Sequence, residues 1–287
     1  HMSKVSFIGL GVMGYPMAGH LSKHYDTIVY NRTTEKSKKW IGSYNGKMAL
    51  SITNTVKEAD FVFCCLGNDN DLRSVLLGQE GVINSMKKGS TLVDHTTCSA
   101  KVSKEIAVIA NNSKIKFMDA PVSGGQIGAE NGQLTIMCGG DEETYYKIES
   151  IISCYSKFSL LMGPIGSGQL TKMVNQICIA GLLQGLSEAI NFGQKVNLDM
   201  EKVIGVIKDG AASSWQMQNR YQTMAKNEFD FGFAVEWMRK DLKICLEQAN
   251  EVGARLPITA IIDQFYSNIL DIGGRRWDTS SLIKLLR

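Results

Sequence analysis

The chain is poor in the patterns that metal sites and covalent cross-links need. Its seven cysteines (Cys64, Cys65, Cys98, Cys138, Cys154, Cys178 and Cys245) form no CxxC pair and no zinc-ligand spacing. Most fall inside apolar runs such as FVFCCL and TIMCGG, so they read as small core residues in a reducing compartment. One of the four histidines is His1, which leaves three, and no catalytic metal is expected. Charge is balanced as well: 31 Lys and Arg against 28 Asp and Glu leave a net +3, too little to imply nucleic acid or an anionic membrane as partner. The lysines of TTEKSKKW and NSMKKGS read as solvated faces near element ends. No apolar run reaches bilayer length, because Asn175, Gln176 and Gln184 interrupt the longest. His1-Met2 reads as the scar of an expression tag and is set aside. No signal peptide is visible, and a cytoplasmic protein is expected.

What is present is an ordinary globular composition, 44% hydrophobic and 21% charged over 287 residues, which favours two domains over one. The first half alternates short β-branched runs (KVSFIG, TIVY, DFVFCCL, STLVD, IKFMDAP) with amphipathic stretches. That βαβ rhythm predicts an α/β domain with a parallel, doubly wound Rossmann-type sheet, extended through GQLTIMCGG and KFSLLMG. After Gly163-Pro164 only helical patterns follow, among them DMEKVIGVIKDG, FAVEWMRKDLKICLEQANEVG and LPITAIIDQFYSNILDI. A last helix is expected after the capping signature DTSS. The expected division is a dinucleotide-binding domain over 3–163 and an all-α domain for substrate and oligomerisation over 164–287.

The first strand ends in Gly9-Leu10-Gly11-Val12-Met13-Gly14, and a helix follows. In that context the GxGxxG pattern predicts a pyrophosphate-binding turn. Gly9 serves the tight turn, Gly11 the approach of the ligand, and Gly14 the close packing of helix on strand. Where an NAD-binding version carries an acid after the second strand, this chain has Asn31-Arg32-Thr33. A guanidinium and a hydroxyl suit a 2′-phosphate, so NADP is the expected cofactor, with NAD possible. Leu66-Gly67 and Thr97 follow strands and should line the cleft at the strand ends. In Ser123-Gly124-Gly125, two glycines after a hydroxyl leave backbone N–H groups bare for an anionic oxygen.

Lys172 raises a different question. It sits in the first turns of GSGQLTKMVNQICIAGLLQGLSEA, and no other charge occurs from Met173 to Ser187. An ammonium beside a segment that reads as buried all round must be paired or used. A carbonyl reduced by hydride needs a proton, the reverse reaction needs a base, and a partly desolvated lysine can serve both. Asn175 and Gln176 share its helix face.

The stretches FIGLGVMGYPMAGHL, DAPVSGGQIGAENGQLTIMCGG, GSGQLTKMVNQ and WMRKDL, in this order and spacing, resemble the β-hydroxyacid dehydrogenases from Lys4 onward. That resemblance implies an NADP(H)-preferring oxidoreductase interconverting a small β-hydroxy acid and its semialdehyde or keto acid. It implies Lys172 as the catalytic acid and base, with Asn175 and Gln176 orienting it or bonding the substrate oxygen. The Asn-Gln pair resembles the family's tartronate semialdehyde reductases, whereas some members carry Asn-Asn. It further implies Ser123, Gly124 and Gly125 as the hold on the substrate carboxylate, Phe233 as a pocket aromatic and Lys240 as a cofactor contact. Gly67 departs from the family, which often has proline there. Asp241 stands open between a place in the site and support of its helix. Family members resemble dimers or tetramers, so a homo-oligomer is expected. Two residues offer other chemistry: His95 as an imidazole acid and Cys98 as a thiohemiacetal-forming thiol. The alternatives are an imine reductase-like NADPH enzyme, which usually has another residue at the lysine position, and a non-catalytic dinucleotide-binding module.

Overall fold

Strand β1 (Lys4–Ile8) shows why the first half reads as continuous apolar runs. Val5 and Phe7 enter one buried cluster and Ile8 another, as Phe63 and Val62 do on a neighbouring strand, so both faces of the sheet are covered by protein. The computed structural model describes residues 2–287; His1, set aside above, lies outside the described residues. The chain divides into two compact units, one ending at Lys172 and the other spanning Met173–Arg287.

In the first unit β1 is followed by α1 (Gly14–Ser22), β2 (Asp26–Tyr30), α2 (Thr34–Ser43), β3 (Lys47–Met48), α3 (Ile52–Val56) and β4 (Phe61–Cys64). Then come α4 (Asp69–Leu76), α5 (Val82–Ser85), β5 (Thr91–Asp94), α6 (Ala100–Asn112) and β6 (Lys116–Asp119). A tail adds β7 (Val122–Ser123), α7 (Gly125–Glu130), β8 (Leu134–Gly139), α8 (Glu142–Ile152) and β9 (Ser156–Gly163). The strand order is β3-β2-β1-β4-β5-β6-β8-β7, with β9 on β8. From β3 to β6 every pairing is parallel. This is the doubly wound Rossmann arrangement, and its order reverses between β1 and β4, where the strand ends leave a crevice for ligands. Beyond β6 the sheet is mixed: β8 runs antiparallel to β6 and β7, and β9 returns parallel to β8. The two-residue strands β3 and β7 are too short to carry a hydrophobic signature in sequence.

Helix α9 (Ser167–Lys195) starts in the first unit and continues into the second. The second unit adds α10 (Met200–Ile207), α11 (Trp215–Ala225), α12 (Val235–Val252), α13 (Pro257–Asp271) and a 3₁₀ helix over Thr279–Leu286. Its core joins Ala180 and Leu183 of α9 to Met238 and Leu242 of α12 and to Ile262, Tyr266 and Ile269 of α13. Two expectations are corrected. The final helix begins inside DTSS rather than after it: Asp278 is the cap, accepting from Ser280 N–H. And the uncharged run of α9, from Met173 to Ser187, is not enclosed all round, since Val174 is 62% exposed.

Candidate active site

The three fingerprint glycines divide by what surrounds them. Gly9 has φ +97°, and a Cβ there would stand 2.3 Å from the Cys65 carbonyl oxygen. A Cβ on Gly14 would stand 2.0 Å from the Gly9 oxygen. Backbone geometry and packing therefore demand both. Gly11 is exposed, has no positive φ, and a Cβ there would meet nothing within 4 Å. Nothing inside the protein requires that glycine, which fits a position kept bare for an incoming phosphate at the start of α1. No side chain caps α1 and no acid stands in its first turn, so its free N–H groups are available to an anion. Leu10 is buried beneath this turn, Val12 is exposed on it and Met13 is half-buried.

Asn31 braces the turn from the end of β2. Its Oδ1 accepts from Leu10 N–H at 2.9 Å and its Nδ2 donates to the Thr33 oxygen at 3.0 Å. Arg32 and Thr33 beside it are exposed. Thr33 is the N-cap of α2 but makes no capping bond with its side chain.

The ends of β4, β5 and β6 carry a buried polar network. Leu66 N–H donates to Thr96 Oγ1 at 2.8 Å, joining the loop with Gly67 to the loop with Thr97. Gln169 of α9 is fully buried; its Oε1 accepts from Cys98 N–H at 3.0 Å and its Nε2 donates to the Thr96 oxygen at 2.8 Å. Asp119, also fully buried, accepts from Gly166 N–H at 2.8 Å and from Gln169 N–H at 3.0 Å. Asp94 is its partner across β5 and β6, and accepts from Thr96 N–H at 2.9 Å. Burial pushes both carboxyls up to about 6, against the backbone and hydroxyl hydrogen bonds that favour their charged forms.

His95 and Cys98 are bound into this scaffold. His95 is buried, with Nδ1 at 2.6 Å from the Ala120 oxygen and Nε2 at 2.7 Å from the Tyr155 hydroxyl. Burial lowers its pKa to about 4, so the ring is neutral at physiological pH. Cys98 is buried, and burial together with the Asp94 charge raises its thiol pKa well above the ordinary value, which makes it a poor nucleophile.

Ser123 ends β7, and Gly124 and Gly125 follow with φ of +131° and +63°, both exposed. Those left-handed conformations favour glycine and start the short helix α7 without a side-chain cap. Lys172 lies in the second turn of α9 and is 9% exposed.

Within the second unit the expected residues form one cluster. Asn175 Nδ2 donates to Gln176 Oε1 at 2.8 Å, and Gln176 Nε2 donates to Asp241 Oδ2 at 2.8 Å. Asp241 is buried and pairs through Oδ1 with Lys240 Nζ at 3.2 Å, while that ammonium lies 5.6 Å from the centre of the Trp237 ring. Asp241 thus holds Gln176 from α12. Phe233 is 39% exposed, and its N–H donates to Asp278 Oδ1 at 2.9 Å.

Sequence reasoning did not single out Asp94, Asp119, Gln169 or Asp278. The available signal was an acid closing an apolar strand just before a polar or glycine-rich loop, as in TLVDHT and FMDAPVSGG. A glycine-turn sheet of this order with a helical second unit defines a dinucleotide-binding oxidoreductase. Residues 4–173 match the NAD binding domain of 6-phosphogluconate dehydrogenase, and residues 166–286 match the NAD-binding region of NADP-dependent 3-hydroxyisobutyrate dehydrogenase. The chain is 55% identical to an uncharacterized oxidoreductase of Shewanella frigidimarina, covering 99% of this chain and 98% of that one. It is 32% identical to 2-hydroxy-3-oxopropionate reductase of Escherichia coli, covering 99% and 97%. Its structure resembles 3-hydroxyisobutyrate dehydrogenase of Mycobacterium tuberculosis with L-serine, at a TM-score of 0.90 and 25% identity over the whole of both chains. The chain belongs to the β-hydroxyacid dehydrogenase family and is an NAD(P)-dependent hydroxyacid dehydrogenase of the 3-hydroxyisobutyrate dehydrogenase type.

Proposed function

We propose that the protein is an NADP(H)-preferring enzyme interconverting a small β-hydroxy acid and its semialdehyde, with Lys172 as proton donor and acceptor. The observation that carries this is Lys172 itself. It is a buried ammonium early in α9, on the helix face that also presents Asn175 and Gln176. The nicotinamide supplies or takes the hydride when bound. The glycine turn of Gly9, Gly11 and Gly14, with Leu10, Val12 and Met13, holds the pyrophosphate. Leu66, Gly67, Thr97 and Lys240 are the further cofactor contacts in this proposal.

Arg32 and Thr33 support NADP: both are exposed beyond β2, and Asn31, tied to the turn, presents no carboxylate to repel a 2′-phosphate. Ser123, Gly124 and Gly125 hold the carboxylate, which leaves the reacting carbon to Lys172 and the wall to Phe233. On reduction Lys172 gives its proton to the forming alkoxide, and on oxidation it takes the hydroxyl proton. Exposed apolar residues of the second unit (Phe192, Leu198 and Trp215 among them) support a homo-oligomer, a dimer or tetramer. A cytoplasmic setting is part of the same proposal, supported by seven cysteines that form no disulfide among the described residues.

The test is turnover of glyoxylate, succinic semialdehyde, methylmalonate semialdehyde, tartronate semialdehyde and L-serine, each with NADP(H) and NAD(H), beside a cyclic imine. Semialdehyde turnover with NADPH is the expected result. Activity on the imine alone would overturn the proposal.

A further inference from the structure

We propose that Asp119 is a positioning residue for the proton transfer: it fixes the first turn of α9 and thereby the setting of Lys172. The inference rests on Lys172 being the proton donor.

Four helices of this chain are capped locally by partly exposed side chains. Ser51, Asn68, Ser99 and Ser214 each accept from an N–H three residues on in their own helix. Helix α9 is held differently. Its leading N–H groups, those of Gly166 and Gln169, reach a carboxylate 47 and 50 residues earlier in the chain. That carboxylate is fully buried. Burying a charge is costly, and a local cap of the serine kind would have avoided it.

The surroundings leave the carboxylate one place to sit. A Cβ on Gly139 would stand 2.5 Å from its Oδ1, and a Cβ on Gly168 would stand 2.9 Å from its Oδ2. Two glycines therefore let β8 and α9 close on it from opposite sides. Gln169 adds a second clasp, its side chain bridging Thr96 and Cys98 in the loop after β5. Axial position and rotation of the first turn are both fixed, and Lys172 follows Gln169 by three residues on the same face. Asp119 also ends β6, four residues before Ser123, so one side chain ties the lysine helix to the strand leading into the serine–glycine loop. All of these groups lie in the first unit.

The experiment is kinetic. Asp119→Asn keeps the shape but turns one acceptor into a donor facing an N–H. Its kcat should fall roughly 10- to 100-fold, as a misplaced catalytic group does, while KM for the substrate and Kd for the cofactor stay within about threefold of the parent. Added to Lys172→Ala, the same change should cost almost nothing more, because there is no lysine left to position. A purely structural cap would lower Tm, leave kcat unchanged, and act additively in the double variant; that result overturns the inference. If Asp119→Asn does not fold, Gln169→Met loosens the same turn, and a kcat equal to the parent's would again overturn it. A parent-like Asp119→Asn beside an inactive Lys172→Ala removes this inference alone. Near-normal turnover in Lys172→Ala removes the Lys172 proposal and this inference with it.

Discussion

The carboxyl ends of β1 and β2 and those of β5 and β6 lie on the same sheet and are built in opposite ways. At the first pair the chain leaves groups open: Gly11 faces empty space, and Arg32 and Thr33 are exposed. At the second pair it closes them: Asp94, His95, Cys98 and Asp119 are buried and hydrogen-bonded. The residues with the most reactive-looking side chains are the ones consumed by the scaffold. In the function proposed above, the chemistry falls to Lys172 and not to these residues.

The largest effect that tests this division is on Lys172. Lys172→Ala should lower kcat by about 10²–10⁴-fold, the usual worth of a positioned acid–base group. Cofactor Kd should barely move, because the glycine turn is untouched. Lys172→Arg should not restore the rate, since a guanidinium keeps its proton. His95→Gln should leave kcat within a few-fold of the parent. Steady-state kinetics on the three variants decide it, and a large kcat loss for His95→Gln with little for Lys172→Ala would reverse the division.

Much of the open side was legible in sequence, because its constraints are local. The GxGxxG turn follows a strand and opens a helix within a few residues; Gly14 answers to Gly9 and Gly11 to none, and only Gly9 answers to a distant neighbour, Cys65. The closed side was legible only as a list of suspects. Whether His95 is an acid or a strut depends on Ala120 and Tyr155, 25 and 60 residues away. The anchoring of α9 by Asp119 needs β6 and β8 assembled first, and no local pattern announces it. The uncharged run of α9 misled for a related reason: an absence of charge does not distinguish a face packed in the core from an exposed apolar one such as that of Val174.

The closed side also predicts a pH signature. The native His95 pKa is about 4, against the 6.5 usual for a histidine in an unfolded chain. Above pH 6.5 the ring is neutral in both states and contributes no pH dependence. Between 6.5 and 4 the unfolded state takes a proton that the native state refuses, so stability falls as pH falls, by up to about 3 kcal/mol. Asp94 and Asp119, raised to about 6, act with the opposite sign, since below 6 the native state takes protons first. The parent alone therefore mixes both slopes. Denaturant unfolding of the parent and of His95→Gln from pH 7 to 4 isolates the histidine: the gap between the two curves should shift against the parent across that window. A constant gap would mean that His95 is accessible to protons in the folded state, and the closed side would be open after all.

The smallest effect belongs to the open side. If Arg32 and Thr33 clamp a 2′-phosphate, Arg32→Ala should weaken NADPH binding by about 1–3 kcal/mol, the range for a charge-assisted bond. The lower end is expected, because Arg32 is exposed and its field is screened by salt. NADH affinity should hardly change, since that cofactor carries no phosphate there. Stability should not change either, because the brace between β2 and the glycine turn is Asn31 and not Arg32. Titration of both cofactors into both proteins, at low and at physiological salt, separates a clamp from a bystander. A clamp gives a loss confined to NADPH and larger at low salt. Equal affinities for the two cofactors in the unsubstituted protein would show that these exposed residues discriminate nothing, and openness at the end of β2 would then mark solvent rather than a binding site.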